Sequence, residues 1–416
     1  MRREEIQAAG ALAGGAVGGF AGLIGDLHRA ISSRTFERVG LMGLPVRVIH
    51  DGISGAAYRG VSGALGSAAG AGAALVAGAA PRNASALATS PMGSIALGAL
   101  NGAVGDLLAR ERNELALEMR LRRRGREVPT DPEGLAEAYP DATGRLVVFV
   151  HGLCGTDECW RVFPLTFEPG PRPTYGSRLR SELGYTPLYV RYNTGLHISD
   201  NGRALSKLLD RVAEGWPVPV DEIVLIGHSM GGLVVRSACH YGEADDAAWA
   251  QSVRHVFCLG SPHLGAPLEK AANAASYAFA RLPETMPMAK VMNGRSVGIK
   301  DLRFGSCVED DWCYCDADEF LSDRCNEVPF LACATYYFIG ATLSRDPADP
   351  VGSVVGDLLV RFASASGNGR QRKIPFEIDH GRHLGGLNHF DLINHPAVYE
   401  QIRDWLARSP TALPAA

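Results

Sequence analysis

From Arg145 onward, short runs of continuous apolar residues alternate with longer segments whose apolar positions recur every three or four residues. "GRLVVFVHG" reads as a buried strand, "TYGSRLRSELG" as a helix, "TPLYVRYN" as a strand and "ISDNGRALSKLLDRVAEG" as an amphipathic helix. "DEIVLIG" is the next strand and "MGGLVVRSACHYG" the next helix. "VRHVFCLGSP", "ACATYYFIGATL" and "KIPFEID" read as further strands. "HPAVYEQIRDWLAR" reads as a closing helix with Pro396 in its first turn. Continuous apolar strands alternating with helices predict a mostly parallel sheet with helices on both faces and right-handed crossovers.

The first 125 residues have another texture. "AAGALAGGAVGGFAGLIGDLHRAI" and two similar stretches are rich in alanine and glycine, with larger apolar residues at roughly helical spacing. No charge occurs between Val61 and Pro81 or between Asn83 and Gly105, so either length can span a bilayer. Alanine and glycine drive insertion weakly, which favours a soluble helical bundle over membrane-surface contact. Spacings such as Gly14 to Gly18 and Gly66 to Gly70 permit close helix–helix approach. "RLRRRGREVPTDPEG" reads as a helix end and a linker. The expected organisation is a helical region over 1–125, a linker over 126–143, an α/β domain over 144–408 with an insertion at about 262–332, and a tail over 409–416.

Composition adds limits. A formal charge of −4 gives no global reason to expect a nucleic-acid partner. Glu4 and Glu5 stand where a secretory signal needs a basic region, so the expected location is cytoplasmic or membrane-associated. Reduced thiols are then the default for the nine cysteines, although the cluster Cys307, Cys313, Cys315, Cys325 and Cys333 leaves room for a disulfide. Its C-x5-C-x-C-x9-C spacing fits neither a zinc knuckle nor a calcium loop, and no metal is expected.

The chemistry centres on "VLIGHSMGGLVV". Gly227-His228-Ser229-Met230-Gly231 matches G-x-S-x-G between an entering strand and a leaving helix, the context that a nucleophilic serine turn requires. An oxyanion needs two backbone donors. Met230 N–H, at the helix start, is one, and Leu153 N–H, in the loop after "VVFVHG", is the other, with Cys154 as the alternative. His151 precedes the serine and reads as a loop-holding residue. The base belongs on the loop between the last strand and the last helix. There His389 is better placed than His380 or His383, beside the strand, or His395, directly before Pro396. The acid belongs after "ATYYFIGATL", where Asp346, Asp349 and Asp357 are all candidates.

"HGLCG", "GHSMGGLVV", "LGSPHLGAPLEK", "GDLLVRFASASG" and "GLNHFDLINHPAVYEQIRDWL" together resemble an α/β-hydrolase of the lipase/esterase type. The pattern is similar to bacterial triacylglycerol lipases and GPI inositol-deacylase-like hydrolases over roughly 144–408. The resemblance implies the α/β-hydrolase fold, cleavage of carboxylic esters with apolar acyl chains through an acyl-enzyme, and no cofactor. It also favours Asp357 as the acid, because the lipase pattern places a Gly-Asp before an apolar turn, a valine and a Ser-Ala pair. "GDLLV" departs from the Asp-Gly that lipases often carry there, and the Ala/Gly-rich region has no counterpart in the lipase pattern. The long segment after "LGSP" stands where such enzymes carry a cap. Its Phe279, Leu282, Met286, Met288, Val291 and Met292 either pack that insertion or line an acyl pocket. Acyl transfer and thioester cleavage use the same residues. A membrane-associated scaffold on the same fold is the non-enzymatic alternative.

Overall fold

The computed structural model describes residues 1–16, 69–78, 86–161, 173–283, 285–345 and 356–408, with scattered positions between 19 and 67. Asp346, Asp349 and the tail over 409–416 lie outside the described residues, as does one member of each of the spacings Gly14 to Gly18 and Gly66 to Gly70.

Eight strands form one sheet: β1 (Arg120–Arg123), β2 (Arg126–Val128), β3 (Arg145–Val150), β4 (Thr186–Arg191), β5 (Glu222–His228), β6 (Val253–Leu259), β7 (Thr335–Thr342) and β8 (Gly381–Gly385). Their order is β2-β1-β4-β3-β5-β6-β7-β8, and every pairing from β4 to β8 is parallel. The longer helices are α1 (Pro91–Arg110), α2 (Tyr175–Leu183), α3 (Ile198–Gly215), α4 (Met230–Ala244), α5 (Pro267–Phe279), α6 (Met286–Asn293) and α7 (Pro396–Arg408).

The continuous apolar strands are explained by burial on both faces. Leu146, Val148 and Val150 of β3 face one core with Leu225 of β5, while Val147 and Phe149 face a second core with Val224 and Ile226. Side chains alternate across a strand, so both sets must be apolar where both faces are covered. α3 and α4 contribute Leu205, Leu209, Leu233 and Val234 to the first core, and α7 contributes Val398, Ile402 and Trp405 to the second. Each fully buried aliphatic side chain of this kind contributes about 1.5–3 kcal/mol.

Two segments differ from the sequence reading. "RLRRRGREV" is a β-hairpin rather than a helix end and linker. Arg124 and Gly125, with φ of 50° and 78°, form its two-residue turn, and both positive angles fit the twist of a tight hairpin. β1 then pairs antiparallel with β4, and Leu121 and Val128 are buried. A short helix, Pro132–Ala138, follows, capped by the Asp131 carboxylate on Gly134 N–H at 2.8 Å. The last strand is "GRHLG", not "KIPFEID". Ile374 and Phe376 still pack inward, but their amides bond to Gly367 and Ile374 carbonyls rather than to the sheet. β8 holds its place through its parallel pairing with β7, where a Cβ at Gly381 would stand 2.3 Å from the Phe338 ring.

The chain divides into two compact units. One comprises Met1–Gly93, Leu108–Ala116 and Ala271–Arg295; the other holds Ser94–Leu107, Leu117–Lys270 and Ser296–Ala416. In the first unit, a Cβ at Gly10 would lie 2.0 Å from the Ala73 Cβ, so two small-residue helical segments touch closely. Phe279, Leu282, Met286, Met288 and Val291 are exposed there. The second unit holds the whole sheet.

Candidate active site

Ser229 sits between β5 and α4 with φ 54° and ψ −125°, a positive φ that a non-glycine residue adopts only when its surroundings enforce it. The enforcement is steric. A Cβ on Gly231 would lie 2.3 Å from the Val150 carbonyl oxygen. One on Gly227 would lie 2.5 Å from the Gly231 backbone, and one on Gly232 would lie 2.0 Å from Ser261 Oγ. Ser229 N–H donates to the Leu259 carbonyl at 2.8 Å, which ties the turn to the end of β6. Met230 opens α4, and first-turn amides of a helix have no intrahelical acceptor.

The loop after β3 lies against this turn. A Cβ on Gly152 would stand 2.9 Å from Ser229 Cβ. His151 is fully buried; its Nδ1 donates to the Gly152 carbonyl at 3.0 Å and its Nε2 accepts from Tyr192 N–H at 3.4 Å. Burial lowers its pKa to about 4, so the ring is a neutral brace for the loop. Cys154 has φ 59°, and its N–H donates to Thr194 Oγ1 at 3.2 Å. Leu153 lies between Gly152 and this committed amide.

Asp357 and His389 meet on the loops that follow β7 and β8. His389 Nδ1 and Asp357 Oδ2 are 2.7 Å apart, and both residues are about 1% exposed. The other carboxylate oxygen, Oδ1, accepts from Leu359 N–H at 3.1 Å and Val360 N–H at 2.8 Å. The backbones join too: His389 N–H donates to the Asp357 carbonyl at 3.0 Å. His389 begins a short turn, His389–Leu392, capped by Asn388, whose Oδ1 accepts from Phe390 and Asp391 N–H. His389 Nε2 is buried and has no hydrogen-bond partner among the described residues, so Ser229 Oγ is not bonded to it in this structure.

His228 joins the two halves, a role the sequence reading did not assign. Its Nε2 donates to the His389 carbonyl at 3.1 Å, and the two rings lie 4.7 Å apart. Burial, then the neighbouring His389, lowers its pKa to about 3. Its position inside G-x-S-x-G was the available signal, but only the fold brings residue 389 above it. Of the other histidines, His383 bonds Thr342 Oγ1 from β8 at 2.8 Å and His395 Nδ1 accepts from Ala397 N–H at the start of α7. His380 lies 3.6 Å from the Glu377 carboxylate. Among the described residues, no group of three or more His, Cys, Asp or Glu side chains is arranged to hold a metal ion, and all nine cysteines are free.

Residues 141–318 match the family described as PGAP1-like alpha/beta domain. The chain is also similar to solved bacterial structures. The mature form of Bacillus licheniformis lipase BlEst2 is 18% identical with a TM-score of 0.40, over 63% of this chain and 91% of that one. The naproxen esterase (carboxylesterase NP) of Bacillus subtilis is 14% identical with a TM-score of 0.35, over 64% and 84%. EstA of Clostridium botulinum is 13% identical with a TM-score of 0.37, over 64% and 87%. No curated protein matches. The match over residues 141–318 makes this part of the chain similar to the PGAP1-like alpha/beta domain, and the mostly parallel sheet with its strand–serine–helix turn is an α/β fold in agreement with it.

Proposed function

We propose that this protein hydrolyses carboxylic esters through an acyl-enzyme on Ser229, with His389 as base and Asp357 as its orienting acid. The observation that carries the reading is the buried His389 ring, bonded through Nδ1 to Asp357 at 2.7 Å and unpartnered at Nε2. It stands downstream of a serine held at positive φ, in the chain order Ser, Asp, His that this fold uses.

His389 Nε2 takes the proton from Ser229 Oγ as Oγ attacks the ester carbonyl carbon. The carbonyl oxygen, now negative, lies against the N–H groups of Met230 and Leu153. The commitment of the Cys154 amide to Thr194 favours Leu153 as the second donor. Asp357 holds the Nδ1–H tautomer and stabilises the imidazolium. That imidazolium protonates the departing alcohol, and water then releases the acid by the same route. The Ser–His hydrogen bond forms as substrate settles, since such bonds are often long in free enzymes. Apolar acyl chains are the substrates that the lipase resemblance implies; an acyl-chain-length series reads this out.

A fluorophosphonate probe labels the wild type and leaves Ser229→Ala unlabelled. Equal labelling of both proteins overturns the assignment. Product analysis with an added alcohol or a CoA ester separates hydrolysis from acyl transfer and thioester cleavage, which share this acyl-enzyme.

A further inference from the structure

We infer that α1, from the Ala/Gly-rich part of the chain, is a positioning strut for the turn that carries the Leu153 amide. The inference rests on the hydrolase reading for what that amide does, and on packing and hydrogen bonds for what holds it.

The buried face of α1 runs through Ser94, Leu97, Gly98, Asn101, Gly102 and Gly105, at alternating spacings of three and one. Its glycines lie directly on the turn after β3. A Cβ on Gly98 would stand 2.7 Å from the Cys154 carbonyl oxygen and 2.8 Å from that of Gly155. One on Gly102 would stand 2.3 Å from Cys154 Sγ, 3.0 Å from its N and 3.1 Å from its Cα. At Gly98 backbone therefore meets backbone, and at Gly102 the Cys154 thiol stands nearest, so a larger residue at either position forces the turn or its side chain to move.

Polar contacts fix the helix at both ends of this face. The Ser94 and Thr156 hydroxyls share a buried hydrogen bond of 3.0 Å, and Arg191 Nη2 donates to Ser94 Oγ at 2.8 Å. At the far end α1 departs from helical geometry at Val104. Around that kink, the Gly102 carbonyl accepts from Ser296 Oγ at 2.6 Å and the Gly105 carbonyl from Asn193 Nδ2 at 2.9 Å. The turn from Gly152 to Thr156 is thus fixed by α1 through Cys154 and Gly155 and lies against Ser229 through Gly152. Its left-handed residue, Cys154, is the one that α1 touches most closely.

The role is positional: α1 touches no reacting atom and acts through the turn. Gly102→Ala pushes Cys154 and shifts the neighbouring amide. A misplaced donor is expected to lower kcat by about 10- to 100-fold with KM changed little. Adding Cys154→Gly removes the nearest clashing atom at a φ that glycine adopts freely, so the double variant recovers part of the rate. Ser94→Ala, which adds no atoms, covers the case in which Gly102→Ala fails to fold. Amide hydrogen exchange over residues 152–156 supplies a readout independent of turnover.

The expected result is faster exchange in that turn and lower kcat in Gly102→Ala, both partly reversed by Cys154→Gly, with a smaller change of the same sign in Ser94→Ala. Wild-type kcat and exchange in a folded Gly102→Ala overturn the strut, as does an unchanged Ser94→Ala beside an unfolded Gly102→Ala. If the wild type turns over no ester while the exchange still responds, the hydrolase reading falls and the strut stands.

Discussion

The Ser229 turn and the Asp357–His389 pair are held by opposite means. At the serine, excluded volume does the holding: Gly152, Gly227, Gly231 and Gly232 each leave less than 3.0 Å for a Cβ, and three of them lie within three residues of the serine. At the pair, hydrogen bonds hold together loops 32 residues apart, through the side chains and through His389 N–H on the Asp357 carbonyl, while two amides of the same loop orient Asp357 Oδ1. A steric frame fails abruptly, because an added carbon has nowhere to go. A hydrogen-bonded frame degrades by steps, because each bond contributes about 0.5–1.5 kcal/mol on its own.

The sharpest way to break this contrast is Gly231→Val. Its side chain would enter the space of the Val150 and His151 carbonyls, and stability is expected to fall by more than about 4 kcal/mol in urea unfolding. A variant as stable as the wild type would remove sterics as the cause. Asp357→Asn tests the other side. The protein stays folded by circular dichroism while kcat falls about 10⁴-fold, because the amide favours the wrong imidazole tautomer. A loss below tenfold would detach Asp357 from the reaction.

Acid provides a graded test. His228 and His151 titrate in the fold at about 3 and about 4, against an ordinary value of 6.5. Between these values the unfolded chain binds more protons than the native one, so stability rises with pH there. It is complete above 6.5 and is lost as pH falls through 6.5 toward 3. His228→Gln should flatten the fall in melting temperature between pH 6.5 and 4; an unchanged slope would show that the ring does not contribute. The mildest change is Asn388→Ala. It removes the cap of the His389 turn at a cost of about 1 kcal/mol and is expected to reduce kcat less than Asp357→Asn does. A kcat loss matching that of Asp357→Asn would mean that the cap, not the carboxylate, holds the ring.

The same contrast explains what the sequence discloses. "VLIGHSMGGLVV" shows its turn openly because a steric constraint is local, and small residues at fixed offsets write it down. Spacing cannot rank Asp346, Asp349 and Asp357. Only the lipase-like run after Gly356 favours the last, because the contact with His389 depends on how two distant loops close. β1 and β2 escape notice because Leu121 and Val128 are nearly the only apolar positions in an arginine-rich run, and because pairing with β4 creates the strand. "KIPFEID" has strand texture without a strand's partner, whereas "GRHLG" has the partner without the texture. For α1, composition announces a helix and small residues announce close packing. Nothing in either announces that the surface approached is Cys154.

The hairpin has a last consequence, for the rim of the sheet. An open sheet ends in unpaired amides and carbonyls that invite another strand to add. Here one rim is β2, three residues long with Arg126 and Glu127 exposed, and the other is β8, five residues long with Arg382 exposed between glycines. Short charged borders of this kind repel edge-to-edge pairing. The longest apolar strands lie in the interior of the order, away from both rims.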